Sequence, residues 1–245
     1  MYILLTIAYD GTSYCGWQRQ KNGIAVQQII EEALESLFKS SFSITGASRT
    51  DARVHALGQK AGFTTDKCVI PLSKLPQVLN TILPEDIKIL CAEEKEKDFH
   101  PRFHAKVKTY EYRIQNTPYP WPQLRNFSYH IPYKLDFDSM REASACFKGT
   151  HDFKAFCATG GSAKTTVRTI YQIELTKNEN NIITLVLKGN GFLYNMVRII
   201  AGTLAYVGQG KIAPGYIPAI IATGRRSLGG ITAPPQGLTL LNVEY

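Results

Sequence analysis

The spacing of apolar residues changes along this chain in a regular order, and that order limits the folds open to it. Residues 2–9 form a β-rich run, and residues 26–38 place apolar side chains every three or four positions. The second pattern predicts an amphipathic helix. The other elements expected in this first half are strands at 43–46, 59–64 and 87–92 and a helix over 72–83 that is broken near Pro76.

The second half repeats this order. We expect strands at 107–115, 167–175, 182–187 and 237–245, a helix capped by Asp138 that runs to Phe147, and a long apolar helix over 193–207. The resulting prediction is an α+β fold of two ferredoxin-like βαββαβ halves that share a largely antiparallel central sheet flanked by helices. The expected domains are 1–105 and 106–245.

The charge of the chain indicates a polyanionic partner. Lys and Arg number 28 against 20 Asp and Glu, which gives a formal net charge of +8, and phosphates attract such a protein over long range. No block of consecutive cations adjoins an apolar helix, and no apolar run reaches the ~20 residues of a membrane span. The five cysteines lack metal-binding or paired spacing. We therefore expect a soluble, cytoplasmic protein with reduced thiols and no membrane partner.

Three segments carry polar residues that a purely structural role does not explain well. The segment 46–59, GASRTDARVHALGQ, packs charges into a loop between strands, although an exposed Arg–Asp pair would look the same. The segment 106–113, KVKTYEYR, interleaves aromatic residues with cations, as a base-stacking surface or a half-buried strand would. The segment 189–202 places Arg198 inside a very apolar helix, where a buried guanidinium needs a partner unless it snorkels to solvent.

These segments resemble the tRNA pseudouridine synthase A family, and the resemblance runs almost from end to end. Many dispersed blocks in the right order are more specific than any single motif. The matching blocks are Tyr9-Asp10-Gly11-Thr12, Gly16-Trp17-Gln18-Arg19-Gln20, Arg49-Thr50-Asp51, Val54-His55-Ala56, Leu79-Asn80, Leu83-Pro84, Phe99-His100, Arg102-Phe103, Lys108-Thr109-Tyr110, Gly149-Thr150-His151-Asp152-Phe153, Val167-Arg168-Thr169-Ile170, the stretch 189–198, Thr232-Ala233-Pro234-Pro235 and Gly237-Leu238.

The first block departs from the family pattern at two positions. Family members usually have glycine before the Arg and glycine two residues after the Asp, where this chain has Ser48 and Arg53. Glycine permits a positive φ and a close approach of backbone. The path of the loop around Asp51 is therefore a question for the structure.

The resemblance implies an isomerase that converts uridine to pseudouridine at positions 38, 39 and 40 of the tRNA anticodon stem–loop. It implies base flipping, no metal and no cofactor. Asp51 resembles the catalytic carboxylate, Arg198 the cation that keeps it ionised, and Arg49 the residue that displaces the base or holds its phosphate. Whether Asp51 attacks C1′, attacks C6 or removes the C2′ proton stays open, as does the choice among tRNAs.

The resemblance also implies substrate-binding residues and an assembly. Tyr110 resembles the residue that stacks on the target uracil, and Arg53, His55, Lys108 and Arg168 are further substrate-binding candidates. The catalytic Asp loop would then lie in the first half, and the stacking Tyr and the buried Arg in the second. Family members are homodimers that hold one tRNA with both subunits, so tRNA and a second copy are the expected partners.

Two other functional classes stay open from the residues alone. A non-catalytic RNA-binding module would use the same charge and element order without needing Asp51 and Arg198 together. A metal-dependent hydrolase would need a ligand cluster, yet Pro101 spoils the helical pairing of His100 and His104. The glycines at 160–165 lack the spacing of a phosphate-binding loop.

Overall fold

A computed structural model of the chain describes residues 1–66, 68–161 and 163–245. Ser162, within the glycine-rich segment 160–165, lies outside the described residues. The chain divides into two compact units, Met1–Lys106 with Thr239–Tyr245, and Val107–Leu238. The terminal strand thus packs with the first unit, which differs from the expected division at 105 and 106.

The first unit is a mixed α+β structure, and its elements are β1 (Tyr2–Tyr9), α1 (Val26–Phe38), β2 (Thr45–Gly46), β3 (His55–Thr64), α2 (Leu75–Asn80), β4 (Ile87–Lys95) and, mostly, β10 (Leu238–Glu244). Its sheet has the order β4-β1-β3. Strand β1 is antiparallel to both neighbours, β2 pairs antiparallel with β3, and β10 pairs parallel with β3. The order β4-β1-β3-β2 is that of a ferredoxin-like sheet.

Helix α1 follows its predicted range because its apolar stripe has a sheet to cover. Val26, Ile30 and Leu34 on that stripe are fully buried, and Lys39 closes the helix in the left-handed region. Helix α2 is shorter than expected, and Pro76 lies in its first turn instead of breaking it. The first turn accepts proline because its N–H groups have no partner within the helix.

The second unit is also α+β, and its elements are β5 (Val107–Gln115), β6 (Tyr129–His130), α3 (Phe137–Ala145), β7 (Gly149–Asp152), β8 (Val167–Lys177), β9 (Ile182–Gly189), α4 (Met196–Gly208) and α5 (Ile217–Thr223). Its sheet has the order β5-β9-β8-β7, with antiparallel pairing throughout that order. The expected α+β class is confirmed. With β6, β7 and α5 as additions, this unit has the element order βαββα, and β10 follows along the chain as the last strand of the expected βαββαβ order.

The start of α3 corrects the predicted cap. Asp136, and not Asp138, occupies the N-cap, and its side chain accepts a hydrogen bond from the backbone N–H of Ser139. Both aspartates precede the same apolar face, so the spacing alone does not separate them. In the described part of the chain, no helix is long and apolar enough to cross a membrane.

Candidate active site

The loop that carries Asp51 begins after Gly46, the last residue of β2, and ends where β3 begins at His55. Asp51 itself is half-buried. Residues 55–58, which were expected in the loop, belong to the strand. The loop is therefore shorter than expected. Arg49, two residues before Asp51, is exposed, and Thr50 between them is buried.

A tight turn follows Asp51. The backbone N–H of Val54 donates to the carbonyl oxygen of Asp51 at 3.1 Å, and Arg53 at the third turn position has a φ of 66°. A positive φ at this position favours glycine, because a Cβ there crowds the backbone. Arg53 adopts this conformation although it has a side chain.

The other departure from the family pattern has a different structural setting. Ser48 keeps a negative φ, so its position does not require glycine. The buried side chain of Gln59 holds its backbone on both sides: the Ser48 N–H donates to Oε1 at 3.3 Å, and Nε2 donates to the Ser48 carbonyl at 2.7 Å. This clamp fixes the incoming arm of the loop to β3.

The segment 9–17 lies beneath the loop and fixes it from the other side. Tyr9 Oη lies 2.7 Å from Thr50 Oγ1, and the Trp17 N–H donates to the Thr50 carbonyl at 3.0 Å. Gly16 has a φ of +109°, and a Cβ there would lie 2.6 Å from the same carbonyl oxygen. A Cβ on Gly11 would overlap the Val54 carbonyl. Glycine at both positions therefore permits the close contact between the two segments.

His55 contributes to the same support. Its ring is buried, and the Gly11 N–H donates to its Nδ1 at 3.1 Å. Asp10 Oδ1 also lies 3.1 Å from Nδ1, but one nitrogen cannot both accept from Gly11 and donate to Asp10. The Gly11 bond has the directed geometry of a hydrogen bond, and Asp10 Oδ1 accepts from the backbone N–H and the hydroxyl of Thr12. This burial favours a role in holding the loop over a role in contacting RNA.

The strand that follows the loop pairs with the terminal strand. His55 and Ala56 pair in parallel with Thr239 and Leu240 of β10. The register of β1 against β3 shifts between Ile7 and Tyr9, beside this junction. Such irregularities redirect side chains and are common next to active sites.

In the second unit, Tyr110 lies on β5 with only a small exposed fraction. Phe192 packs edge-on against its ring, with the centroids 5.2 Å apart. Phe192 belongs to the glycine-rich stretch 189–198, so two of the matching blocks meet here. The arrangement fixes the plane of the Tyr110 ring, as a stacking residue requires.

Arg198 is the third residue of α4, and its side chain contacts Asn195 and Ala233. Its Nε donates to the carbonyl of Ala233 at 2.7 Å, and its Nη1 donates to Oδ1 of Asn195 at 2.7 Å. Asn195 precedes the helix with a φ of 60°, which brings its side chain back over the first turn. Two contacts from one planar group set the orientation of the guanidinium.

Tyr112 joins this group from β5. Its hydroxyl donates to the Pro234 carbonyl at 2.7 Å. Burial raises the pKa of the phenol well above its ordinary value of 10.0, with the charge of Arg198 acting in the opposite direction. The phenol stays protonated and keeps donating. Arg198 and Tyr112 thus hold adjacent carbonyls of the block Thr232-Ala233-Pro234-Pro235.

The remaining binding candidates of the second unit lie at strand ends. Lys108 pairs in the sheet with Gly189, and it is half-buried. Arg168 is the second residue of β8 and donates through Nη1 to the carbonyls of Thr165 and Val167. Burial lowers the pKa of its guanidinium. These contacts hold the Arg168 side chain against its own strand.

The described residues contain no group of three or more His, Cys, Asp or Glu that is able to hold a metal ion. His100 and His104 face each other across a turn, where the His100 N–H donates to Nδ1 of His104 at 3.4 Å.

Several supporting residues were not predicted as functional. Tyr9, Gln59 and Tyr112 all fix backbone next to the candidate residues. Tyr9 stands in a block that matches the family, but its contact with Thr50 spans 41 positions. No spacing rule identifies such a contact.

Comparison with known proteins assigns the chain to a family. A family model described as "tRNA pseudouridine synthase" matches residues 5–104 and 143–245. Relatives named tRNA pseudouridine synthase A, from Ruminiclostridium cellulolyticum and Thermoanaerobacter sp. (strain X514), are 50% and 46% identical over 243 residues, 99% of each chain. A solved archaeal box H/ACA Nop10–Cbf5 complex aligns with a TM-score of 0.40 at 8% identity, over 96% of this chain and 46% of that chain, which is too distant to add to the assignment. The chain belongs to the family of tRNA pseudouridine synthases, the isomerases that convert uridine in tRNA to pseudouridine.

Proposed function

We propose that this protein isomerises uridine to pseudouridine in the anticodon stem–loop of tRNA, at positions 38, 39 and 40, with Asp51 as the catalytic nucleophile. The observation that carries the proposal is the anchoring of Asp51. The carbonyl of Thr50 before it accepts from Trp17, and the carbonyl of Asp51 accepts from Val54. A reactive carboxylate on a loop needs such fixed backbone to keep its aim.

The reaction needs only groups that a protein chain supplies. The bond between uracil N1 and ribose C1′ breaks, the base turns, and a bond from C5 to C1′ forms. The C5 proton leaves to solvent and N1 gains a proton, so atoms and charge balance without an oxidant or a reductant. Asp51 would act while the target uridine is flipped out of the base stack, because the reacting atoms of a stacked uridine are inaccessible to the protein.

We propose Arg198 as the partner of Asp51. Asp and Glu are absent between Gly189 and Tyr206, so the helix itself offers no acidic neighbour. An ion pair with the guanidinium would keep Asp51 ionised.

The other candidate residues differ in how far their side chains are exposed to solvent. Arg49 and Arg53 are exposed on either side of Asp51, where cations are able to hold phosphate or displace a base. Tyr110 is proposed to stack on the target uracil, and Lys108 and Arg168 to contact the backbone of the RNA. For His55 we propose that the side chain supports the loop and does not contact the RNA directly, because its ring is buried.

We further propose that the enzyme acts in the cytoplasm as a homodimer that binds one tRNA with both subunits. The charge of +8 supports a long polyanionic partner. Affinity for tRNA should fall steeply with salt through counterion release. Sedimentation at working concentration, with and without tRNA, tests the dimer; a strict monomer in both states contradicts it.

The central test is tritium release from tRNA labelled at uracil C5, carried out in the presence of EDTA. We expect release by the native protein, no detectable release by Asp51→Asn, and native tRNA binding by that variant, since binding depends mainly on phosphate contacts. Asp98→Asn is the matched control, because Asp98 is an exposed acid of the same unit. Its release should equal that of the native protein.

The same assay separates the other functional classes. Binding without release by the native protein would indicate a non-catalytic RNA-binding module. Loss of activity in EDTA would indicate a metal-dependent enzyme. Release by Asp51→Asn within tenfold of the native rate, about 1.4 kcal/mol in barrier, would remove Asp51 from the mechanism.

A further inference from the structure

A second aromatic surface lies in the second unit, in the segment 116–134 between β5 and α3, which we call the aromatic loop. Its aromatic side chains are unusually open to solvent for their size. The exposed fractions are Tyr119 80%, Tyr133 72%, Trp121 38% and Phe127 36%. Large exposed aromatic groups that cluster in one segment commonly mark an interaction site.

The backbone under the two most exposed rings is held by adjacent residues. The side-chain amide of Asn116 donates to the Tyr133 carbonyl at 2.7 Å and to the Ile131 carbonyl at 2.9 Å. The hydroxyl of Thr117 donates to the Tyr119 carbonyl at 2.7 Å. Because Asn116 and Thr117 are neighbours, Tyr119 and Tyr133 are fixed to one edge of the loop.

Buried polar groups and prolines stiffen the rest of the loop. The buried Gln115 donates to Thr117 Oγ1 at 2.9 Å and accepts from the Trp121 N–H at 3.2 Å. Prolines flank Tyr119 on both sides, and another precedes Tyr133. Proline fixes φ and restricts the residue before it. Rings on such a backbone lose little entropy on binding.

The charge of the segment is one-sided. No Asp or Glu occurs between Glu111 and Asp136, whereas Arg125 and Lys134 are exposed cations. The Arg125 guanidinium donates to the Pro122 carbonyl at 3.0 Å, which holds it beside Trp121. Aromatic faces next to cations, without acids, complement unpaired bases and phosphates.

We propose that the aromatic loop is a second RNA-contacting surface, where Tyr119 and Tyr133 stack on unpaired bases and Arg125 holds an adjacent phosphate. The inference rests on the proposed function, because that function makes RNA the partner. A second copy of this chain fits the surface less well, since it would bring like-charged cations together on a protein of net charge +8.

The experiment measures the affinity of an unmodified tRNA transcript by fluorescence anisotropy. We expect Tyr119→Ala and Tyr133→Ala each to weaken binding about tenfold, within the range for one stacked base. Tyr119→Phe and Tyr133→Phe keep the ring and should bind within about twofold of the native protein. Tyr216→Ala, which removes an exposed tyrosine outside the loop, is the matched control and should bind natively.

Salt dependence distinguishes the role of the rings from that of the cation. The slope of log K against log salt should be unchanged in the tyrosine variants, because a ring displaces no counterion. Arg125→Ala should reduce that slope by about one. Native affinity and slope in all of these variants would overturn the proposal.

A protein partner gives a different result. Dissociation of a native dimer by Tyr119→Ala, measured by sedimentation without RNA, would assign the loop to a contact between copies and overturn the RNA proposal. Pseudouridine formation by the native protein is measured on the same transcript. If the native protein forms pseudouridine and the tyrosine variants bind natively, only this inference fails; if the native protein forms none, the proposed function fails.

Discussion

The Tyr9 hydroxyl lies 2.7 Å from Thr50 Oγ1, and both side chains are almost fully buried. Thr50 directly precedes Asp51, and its carbonyl accepts from the Trp17 N–H at 3.0 Å. Thr50 is therefore held through its side chain and its backbone. These bonds fix the backbone that leads into Asp51.

Tyr9→Phe tests whether the hydroxyl contact positions Asp51. The variant leaves the buried Thr50 hydroxyl without this partner, and we expect unfolding to become easier by about 1–3 kcal/mol. We expect kcat to fall about tenfold with KM for tRNA unchanged, because small misplacements of a reacting group are costly. Chemical denaturation and steady-state kinetics measure the two effects.

A double-mutant cycle supplies the control for this prediction. Thr50→Val removes the same contact from the other side, so the double variant should show little further loss of kcat. Thr50→Ser keeps the hydroxyl and should restore most of the activity. Fully additive losses would mean that the two residues act separately.

Arg198→Met should lower kcat by about a hundredfold or more, since the Asp51 carboxylate would lose its proposed cationic partner. Arg198→Lys keeps the charge but loses the planar group that reaches both Asn195 and Ala233, and we expect an intermediate loss. Single-turnover kinetics at saturating enzyme report the chemical step.

Arg226→Met is the matched control for these variants. Arg226 also holds backbone in this region, with Nη1 donating to the Gly230 carbonyl at 2.7 Å. The control should lose stability while its single-turnover rate stays within about threefold of native, a difference of about 0.7 kcal/mol. An equal loss of rate in both Met variants would indicate that loosening the segment 230–233 lowers the rate, and not the loss of a specific role of Arg198.

The proposed stacking role of Tyr110 predicts that the ring matters more than the hydroxyl. Tyr110→Phe should keep kcat/KM within about threefold, whereas Tyr110→Ala should lose the ~1–3 kcal/mol of one stacked base and also leave a cavity beside Phe192. Tyr110→Leu fills much of that cavity without an aromatic face. Equal impairment of the Phe and Leu variants would assign the function to the hydroxyl.

The cap of α3 predicts a dependence of stability on pH. The pKa of Asp136 lies below its ordinary value of 3.8, chiefly because the backbone N–H of Ser139 donates to the carboxylate. A lowered pKa stabilises the fold above the unfolded-state value, and this contribution disappears as pH falls through the folded-state value. Asp136→Ala should lower Tm at neutral pH, and the gap should close below pH 3.8.

Asp138→Ala is the control for the cap, because Asp138 lies in the first turn of the same helix and accepts from the exposed Arg141 side chain, whereas Asp136 occupies the N-cap. Its effect on Tm at neutral pH should be smaller. Equal effects of the two substitutions would mean that the N-cap bond contributes no more than a negative charge near the helix N-terminus.

The sequence predicts elements better than the contacts between them. The apolar repeat gives the bounds of α1 correctly, because one buried stripe determines a helix. It places the cap of α3 at Asp138 instead of Asp136, because both residues suit a helix start. It also leaves 55–58 in a loop, since the strand character of β3 there depends on pairing with distant residues such as Thr239.

The candidate site shows the same division. Asp51, Arg49 and Tyr110 are found from dispersed blocks that match a family, and their functional roles stay predictions. The residues that hold them, such as Tyr9 and Gln59, act through hydrogen bonds across the fold. Nothing in their own spacing separates them from ordinary core residues.

The pairing of β10 with β3 also has a consequence for how the chain is made. Thr239–Tyr245 belong to the first unit, yet they follow the whole of the second. On the ribosome, synthesis of the intervening residues takes on the order of ten seconds. During that time the start of β3, which follows the Asp51 loop, lacks its parallel neighbour β10. The second unit is synthesised before the first is closed, so a nascent chain that stalls before Thr239 would carry Asp51 beside an unfinished sheet.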